Sequence, residues 1–216
     1  MAAVDLIPAK PAMRGWLHAG MTPAVLLAGI ILLAVSPTTE ARIGSAVWTA
    51  GSLVLFGTSA VYHRGNWQPR VLSLLQRLDH SNIFVFIAAT YTPLTLILLD
   101  GAQQVLLLSL VWGIALAGVV ITFAWPARPR WLDVALYVPM GWVALGWLGE
   151  FWASGGPAVV ILLLLGGVLY TGGAAVYATR RPNPSPRVFG YHEIFHACTI
   201  AAAACHFAAI AVAALG

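Results

Sequence analysis

Two histidines four residues apart, His192 and His196, open the last long apolar run of this chain. On a helix, positions i and i+4 share a face one turn apart, so these two imidazoles can hold one divalent metal ion. Ser59 and His63 have the same spacing at the end of an earlier apolar run, and Asp79 stands just ahead of the next. Three neutral imidazoles suit zinc and leave a fourth position for water. A nearby carboxylate can hydrogen-bond that water or accept its proton, and a serine hydroxyl can orient a ligand or donate to a developing oxyanion. Each residue also has a plainer reading. Asp79 suits a helix N-cap and the helix dipole. Ser59 can bond back to a backbone carbonyl, and His18 and His80 read as interfacial residues near helix ends. The run from His192 to His196 also fits H-E-x-x-H, which would make Glu193 the general base of a zincin, with Asp79 as a third ligand. That reading leaves His63 and Ser59 without a role. Glu193 is therefore expected to face a neighbouring helix or the headgroup region rather than the metal.

These residues are far apart in sequence, so long elements must carry them to one place. Of the 216 residues 60% are apolar and only 8% charged, and the mean hydropathy is +0.86. A soluble domain is about a quarter charged. Apolar runs of roughly twenty residues recur, each long enough to cross a bilayer core. The expectation is one all-α membrane domain over residues 1–216, with a short cytoplasmic segment at 1–16. Seven helices are expected, near 17–35, 43–63, 79–99, 105–125, 134–148, 158–179 and 191–215. The first run is longer than a signal-peptide core and lacks a small-x-small cleavage site after it, so it reads as a retained helix. Pro93 should kink the third helix, and Gly155-Gly156-Pro157 should turn the chain between the fifth and sixth. Cys198 and Cys205 lie roughly 10 Å apart along one helix, too far for a disulfide. They read as small buried residues.

The formal charge of +4 is then a matter of orientation and not of nucleic acid. With seven helices, Lys10 and Arg14, then Arg64, Arg70 and Arg77, then Arg128 and Arg130, then Arg180, Arg181 and Arg187 all fall on one side, against Arg42 on the other. The positive-inside rule puts that side, and the N-terminus, in the cytoplasm and the C-terminus outside. His63, Asp79, His192 and His196 then share one membrane depth. Ionisable groups at such depth are expensive and face a protein interior with a partner or a function. His206 lies roughly 15 Å further along the last helix than His196, too deep for the same metal, and reads as core packing or, second, as a contact to substrate.

The chain resembles the hemolysin III family, the bacterial branch of the progestin and adipoQ receptor superfamily. The resemblance rests on Ser59-Ala60-Val61-Tyr62-His63, an S-x3-H motif, and on the aspartate segment Leu78-Asp79-His80-Ser81-Asn82-Ile83. It rests further on Thr90-Tyr91-Thr92-Pro93 and on the H-x3-H motif of His192 to His196. It covers nearly the whole chain. It implies seven helices with an inward N-terminus in the bacterial inner membrane, and a zinc held by His63, His192 and His196. It also implies that Asp79 contacts the zinc-bound water and that Ser59 lies beside the site. Eukaryotic relatives are similar to alkaline ceramidases, while bacterial members are named for haemolysis and linked to membrane lipid homeostasis. One departure stands out. Many members carry E-x2-N-x3-H before the first helix; with its histidine aligned on His18, Pro11 and Arg14 stand where Glu and Asn are expected.

The leading expectation is a zinc-dependent hydrolase of a lipid amide or ester, with Asp79 and Ser59 catalytic and membrane lipids as the partners. The alternatives are a zinc-stapled membrane sensor or receptor without enzymatic activity, or a haemolysis-associated membrane protein, and, remotely, an intramembrane metalloprotease. A transporter is disfavoured, since transporter sites lie near the midplane on broken helices.

Overall fold

The computed structural model describes residues 10–216; Asp5 and the rest of the expected cytoplasmic segment up to residue 9 lie outside the described residues. The described residues form helices α1 (Trp16–Val35), α2 (Thr39–Arg64), α3 (Pro69–Leu98), α4 (Gly101–Ala124), α5 (Arg130–Gly141), the 3-10 helix η1 (Trp142–Trp147), α6 (Leu148–Thr179) and α7 (Tyr191–Leu215). No strand occurs among them. Six stretches are long and apolar enough to cross a membrane, with residues 131–179 counting as one of 49 residues. The chain is thus a multi-pass helical membrane protein. Its outward faces are apolar, with Leu27, Ile31, Leu106 and Leu116 each more than half exposed, as a lipid-facing surface requires.

Each helix begins and ends where local chemistry dictates. Thr38 caps α2, its hydroxyl accepting from the Ala41 amide at 3.2 Å. Pro69 opens α3, where its missing amide proton is no loss. That start lies well before the expected one at residue 79. Asp79 therefore sits inside α3 and does not cap it; the capping position is Gln68. Pro93 lies within α3 without ending it.

The fifth expected helix differs most. It runs as α5, then η1, then the first two turns of α6, and the turn expected at residues 155–157 is a break inside α6. Gly156 there takes φ 76° and ψ 179°, a backbone conformation that glycine adopts without a steric penalty. A straight helix over residues 131–179 would measure about 73 Å, more than twice a bilayer core. It is not straight: the Trp142 indole donates to the Thr171 hydroxyl at 3.0 Å. Those residues flank Gly156 almost symmetrically, so the chain doubles back there.

α3 lies at the centre, packed against α2, α4, α5, α6 and α7, while α1 packs on α2 and α6 on α7. Small residues on α2 set the spacing between α2 and α3. A Cβ on Gly44 would lie 2.5 Å from Pro93 Cα, and one on Gly51 would lie 2.5 Å from the Ala89 Cβ. Close backbone approach through small residues is a common way for helices to associate in lipid, where no hydrophobic force separates helix from solvent. The same buried stripe continues along α2 through Trp48, Leu55 and Ser59 to His63. The stripe that packs α2 therefore also points its two functional residues inward.

Candidate metal centre

The stripe on α2 brings His63 to the start of α7, where His192 and His196 project one turn apart. The ligand nitrogens of His63, His192 and His196 all lie within 4.8 Å of one another. His63 Nε2 and His192 Nε2 are 3.2 Å apart. Nitrogens on a tetrahedral zinc with bonds of about 2.0–2.1 Å sit roughly 3.3 Å from each other, so that pair already has the required spacing. Two neutral imidazole nitrogens facing each other need either a proton or a metal between them. The donor set therefore fits a metal ion.

Asp79 arrives from the middle of α3, its Oδ2 3.7 Å from His63 Nε2. Ser59 is 2% exposed and lines the same cavity as Asp79. The expected residues Ser59, His63, Asp79, His192 and His196 thus occupy one place. Ser59, Asp79, His192 and His196 line the end of a cavity, with His63 against His192. The remaining wall is largely apolar or aromatic and includes Leu55, Phe86, Tyr137, Trp142 and Phe195. Such a lining suits the apolar part of an organic ligand.

Two histidines depart from their expected settings, and a third lines the cavity. His18 is not an interfacial residue: it is 3% exposed and stacks on His196 with ring centroids 3.8 Å apart and planes at 10°. Both of its ring nitrogens lack a hydrogen-bond partner, and it lines the cavity. His80 also lines the cavity rather than the interface, with Nδ1 3.6 Å from Asp133 Oδ2. His206 reaches the cavity too. Cys198 and Cys205 are free and half-buried.

Glu193 is turned away from the three histidines. It is 1% exposed; Oε1 accepts from Arg14 Nε at 2.5 Å and Oε2 accepts from the Gly190 amide at 2.8 Å. It caps its own helix and anchors the N-terminal segment. Arg14, the position that departs from the family motif, is therefore part of the support of the site. The segment is held further by backbone bonds from Ala12 to Arg187 and from Met13 to Val188, and by Lys10 donating to the Gly65 carbonyl. Nothing in the sequence singled out the pairing of Arg14 with Glu193, since the two stand 179 residues apart.

A second polar cluster lies beside the site and was missed from sequence. Arg128 and Asp133 are both buried and paired, with Nε and Nη2 each 2.5 Å from Asp133 Oδ1. Arg128 also donates to the Thr122 hydroxyl and the Trp125 carbonyl. The spacing R-x4-D across a proline-rich turn was the available signal; it read only as a loop charge.

Fold and site together define an integral membrane protein of bundled helices with a buried three-histidine group able to hold a metal ion. A family model described as Haemolysin-III related matches residues 7–207. The chain is 31% identical over 161 residues to the Hemolysin-3 homolog of Bacillus subtilis (strain 168), covering 74% of this chain and 72% of that protein. It is 31% identical over 140 residues to Hemolysin-3 of Bacillus cereus, covering 65% of this chain and 64%, just under two thirds, of that protein. The chain belongs to the hemolysin III family.

Proposed function

We propose that this protein is a zinc-dependent hydrolase acting on an amide or ester bond of a membrane lipid, and that it serves membrane lipid homeostasis. The observation that carries this reading is the placement of Asp79 and Ser59 beside three convergent imidazoles at the end of a largely apolar cavity. Zinc, when bound by His63, His192 and His196, supplies a Lewis acid that activates water and polarises a carbonyl. Asp79 takes the proton released at the site and passes it to the leaving group, as a general base and then an acid. The Ser59 hydroxyl, beside Asp79, donates its one proton toward the oxygen on which charge develops. The apolar walls take the acyl chain and keep bulk water from the reacting bond.

The same reading places seven crossings in the bacterial inner membrane, with the fold-back at Gly156 dividing residues 131–179 into two passes. The arginine-bearing loops then face the cytoplasm. Exposed Trp16, Trp67, Trp125 and Trp131 lie at the same helix ends, as an interfacial aromatic belt does. A rival reading is a non-enzymatic sensor whose metal staples α2 to α7; the histidines alone favour it as much.

The test is metal analysis of protein purified without added metal, followed by incubation with ceramide- and phospholipid-containing nanodiscs, with and without chelator. One zinc per chain and chelator-sensitive release of fatty acid are expected. Full zinc occupancy with no turnover of any lipid class would leave the sensor.

A further inference from the structure

At the far end of the cavity, roughly 15 Å along α7 from the three histidines, two polar atoms have no partner: His206 Nδ1 and the Tyr170 hydroxyl. Both residues line the same cavity as the metal centre, and their ring centroids are 5.5 Å apart. The His206 ring is seated with care. Nε2 lies 3.2 Å from the Leu163 carbonyl oxygen, and the ring lies against Gly166, where a Cβ would fall 2.3 Å from Nε2. A carbonyl oxygen only accepts, so Nε2 carries the proton and Nδ1 is a bare acceptor in the neutral ring. The tyrosine hydroxyl can donate or accept. An unpartnered acceptor beside an unpartnered hydroxyl, both buried, costs free energy unless a ligand or water completes them.

The group that completes such a pair must donate to His206 and accept from Tyr170. An alcohol does both; a ketone or an ester carbonyl cannot donate. We propose that Tyr170 and His206 form a hydroxyl-recognition subsite, and that the preferred occupant of the cavity is an amphiphile whose chain bears an alcohol partway along. This rests on the lipid-hydrolase reading above for the polar end of the amphiphile. An extended chain advances about 1.2 Å per bond, so the alcohol sits roughly twelve bonds from the group held at the histidines. A buried water would satisfy the same two atoms, and the experiment must separate the two.

Zinc-loaded, full-length protein in detergent is titrated with octadecanoic acid, with the isomer hydroxylated near its twelfth carbon, with the corresponding ketone and with the 2-hydroxy isomer. The mid-chain alcohol should bind about three- to tenfold more tightly than the unsubstituted acid, the range of one or two net hydrogen bonds. The ketone should recover at most part of that gain, and the 2-hydroxy isomer none. In Tyr170→Phe and His206→Phe the gain should vanish while affinity for octadecanoic acid stays near the wild-type value. Equal binding of the alcohol and the unsubstituted acid by the wild type means that the pair holds water, and overturns this inference alone. A gain that survives in both variants overturns it as well. Failure of every chain to bind overturns the lipid reading of the cavity together with the subsite. Should either variant fail to fold, the positional comparison in the wild type decides alone.

Discussion

Two buried polar clusters meet α3 at adjacent residues, one through Asp79 and one through His80, and they are satisfied in opposite ways. Arg128 and Asp133 complete each other: the guanidinium meets the carboxylate, a threonine hydroxyl and a backbone carbonyl. His63, His192, His196 and His18 crowd together with too few protons and partners among them. A buried polar group left without a partner is costly. The first cluster spends its polar atoms on holding α4 and α5 together. The second leaves ring nitrogens facing one another, which is what binding a metal requires. The contrast separates structural polarity from functional polarity without reference to residue type, since histidine occurs in both through His80 and His63.

The largest effect expected from breaking this contrast is on the metal. His63→Ala or His196→Ala removes one of three imidazoles, and metal content by mass spectrometry should fall from one equivalent to under about a tenth. The helices should remain, because α2 packs on α3 through Gly44 and Gly51 independently of the metal. The reverse holds at the neighbouring cluster. Asp133→Asn leaves the buried Arg128 without its anion, a change that costs about 3–5 kcal/mol. Its thermal unfolding temperature in detergent should drop sharply while folded material keeps its metal. If Asp133→Asn instead lost metal at unchanged stability, the two clusters would be one site.

Asp79 sits where the two clusters meet and should respond to neither test in full. Asn keeps the size of the side chain and one acceptor but cannot take a proton. Asp79→Asn should retain zinc and lose about 10²–10⁴-fold in lipid turnover, the range of a general acid–base group. Wild-type function in this variant at full metal occupancy would move the protein to the sensor reading.

The sequence made much of the second cluster legible and little of the first. Helical spacing tied Ser59 to His63 and His192 to His196, and the distribution of arginines put the three segments at one depth. Both signals are local or compositional and need no knowledge of packing. Arg128 looked like an ordinary loop charge and Asp133 gave no signal of its own, because their burial is produced by α4 and α5 closing over them. His18 looked interfacial for the same reason: its stacking on His196 joins the first helix to the last. The fifth helix was the least regular in sequence and remained so in the structure, passing through a 3-10 segment beside Pro139. Asp79 was placed at a helix start because the polar residues ahead of it hid the first turns of α3.

The smallest effect concerns Glu193, the residue that a zincin would use. Both of its oxygens are already engaged, one by Arg14 and one by the Gly190 amide. Glutamine keeps an oxygen that can accept from Gly190 and loses the charge opposite Arg14. The Arg14 side chain is 21% exposed, so water can take over part of its solvation, and the loss should stay near 1 kcal/mol, below the range for a fully buried pair. Glu193→Gln should therefore bind zinc as the wild type does and keep most of its lipid turnover, with a small fall in unfolding temperature. Arg14→Gln should reproduce that fall, and the double variant should add little to either, because both singles break one contact. A zincin predicts the opposite pattern: Glu193→Gln would abolish activity at full metal occupancy while Arg14→Gln left it intact. Paired measurement of turnover and zinc content in the three variants distinguishes a helix anchor from a general base, and equal, mild phenotypes in all three would place Glu193 with Arg128 and Asp133 among the groups that hold the bundle.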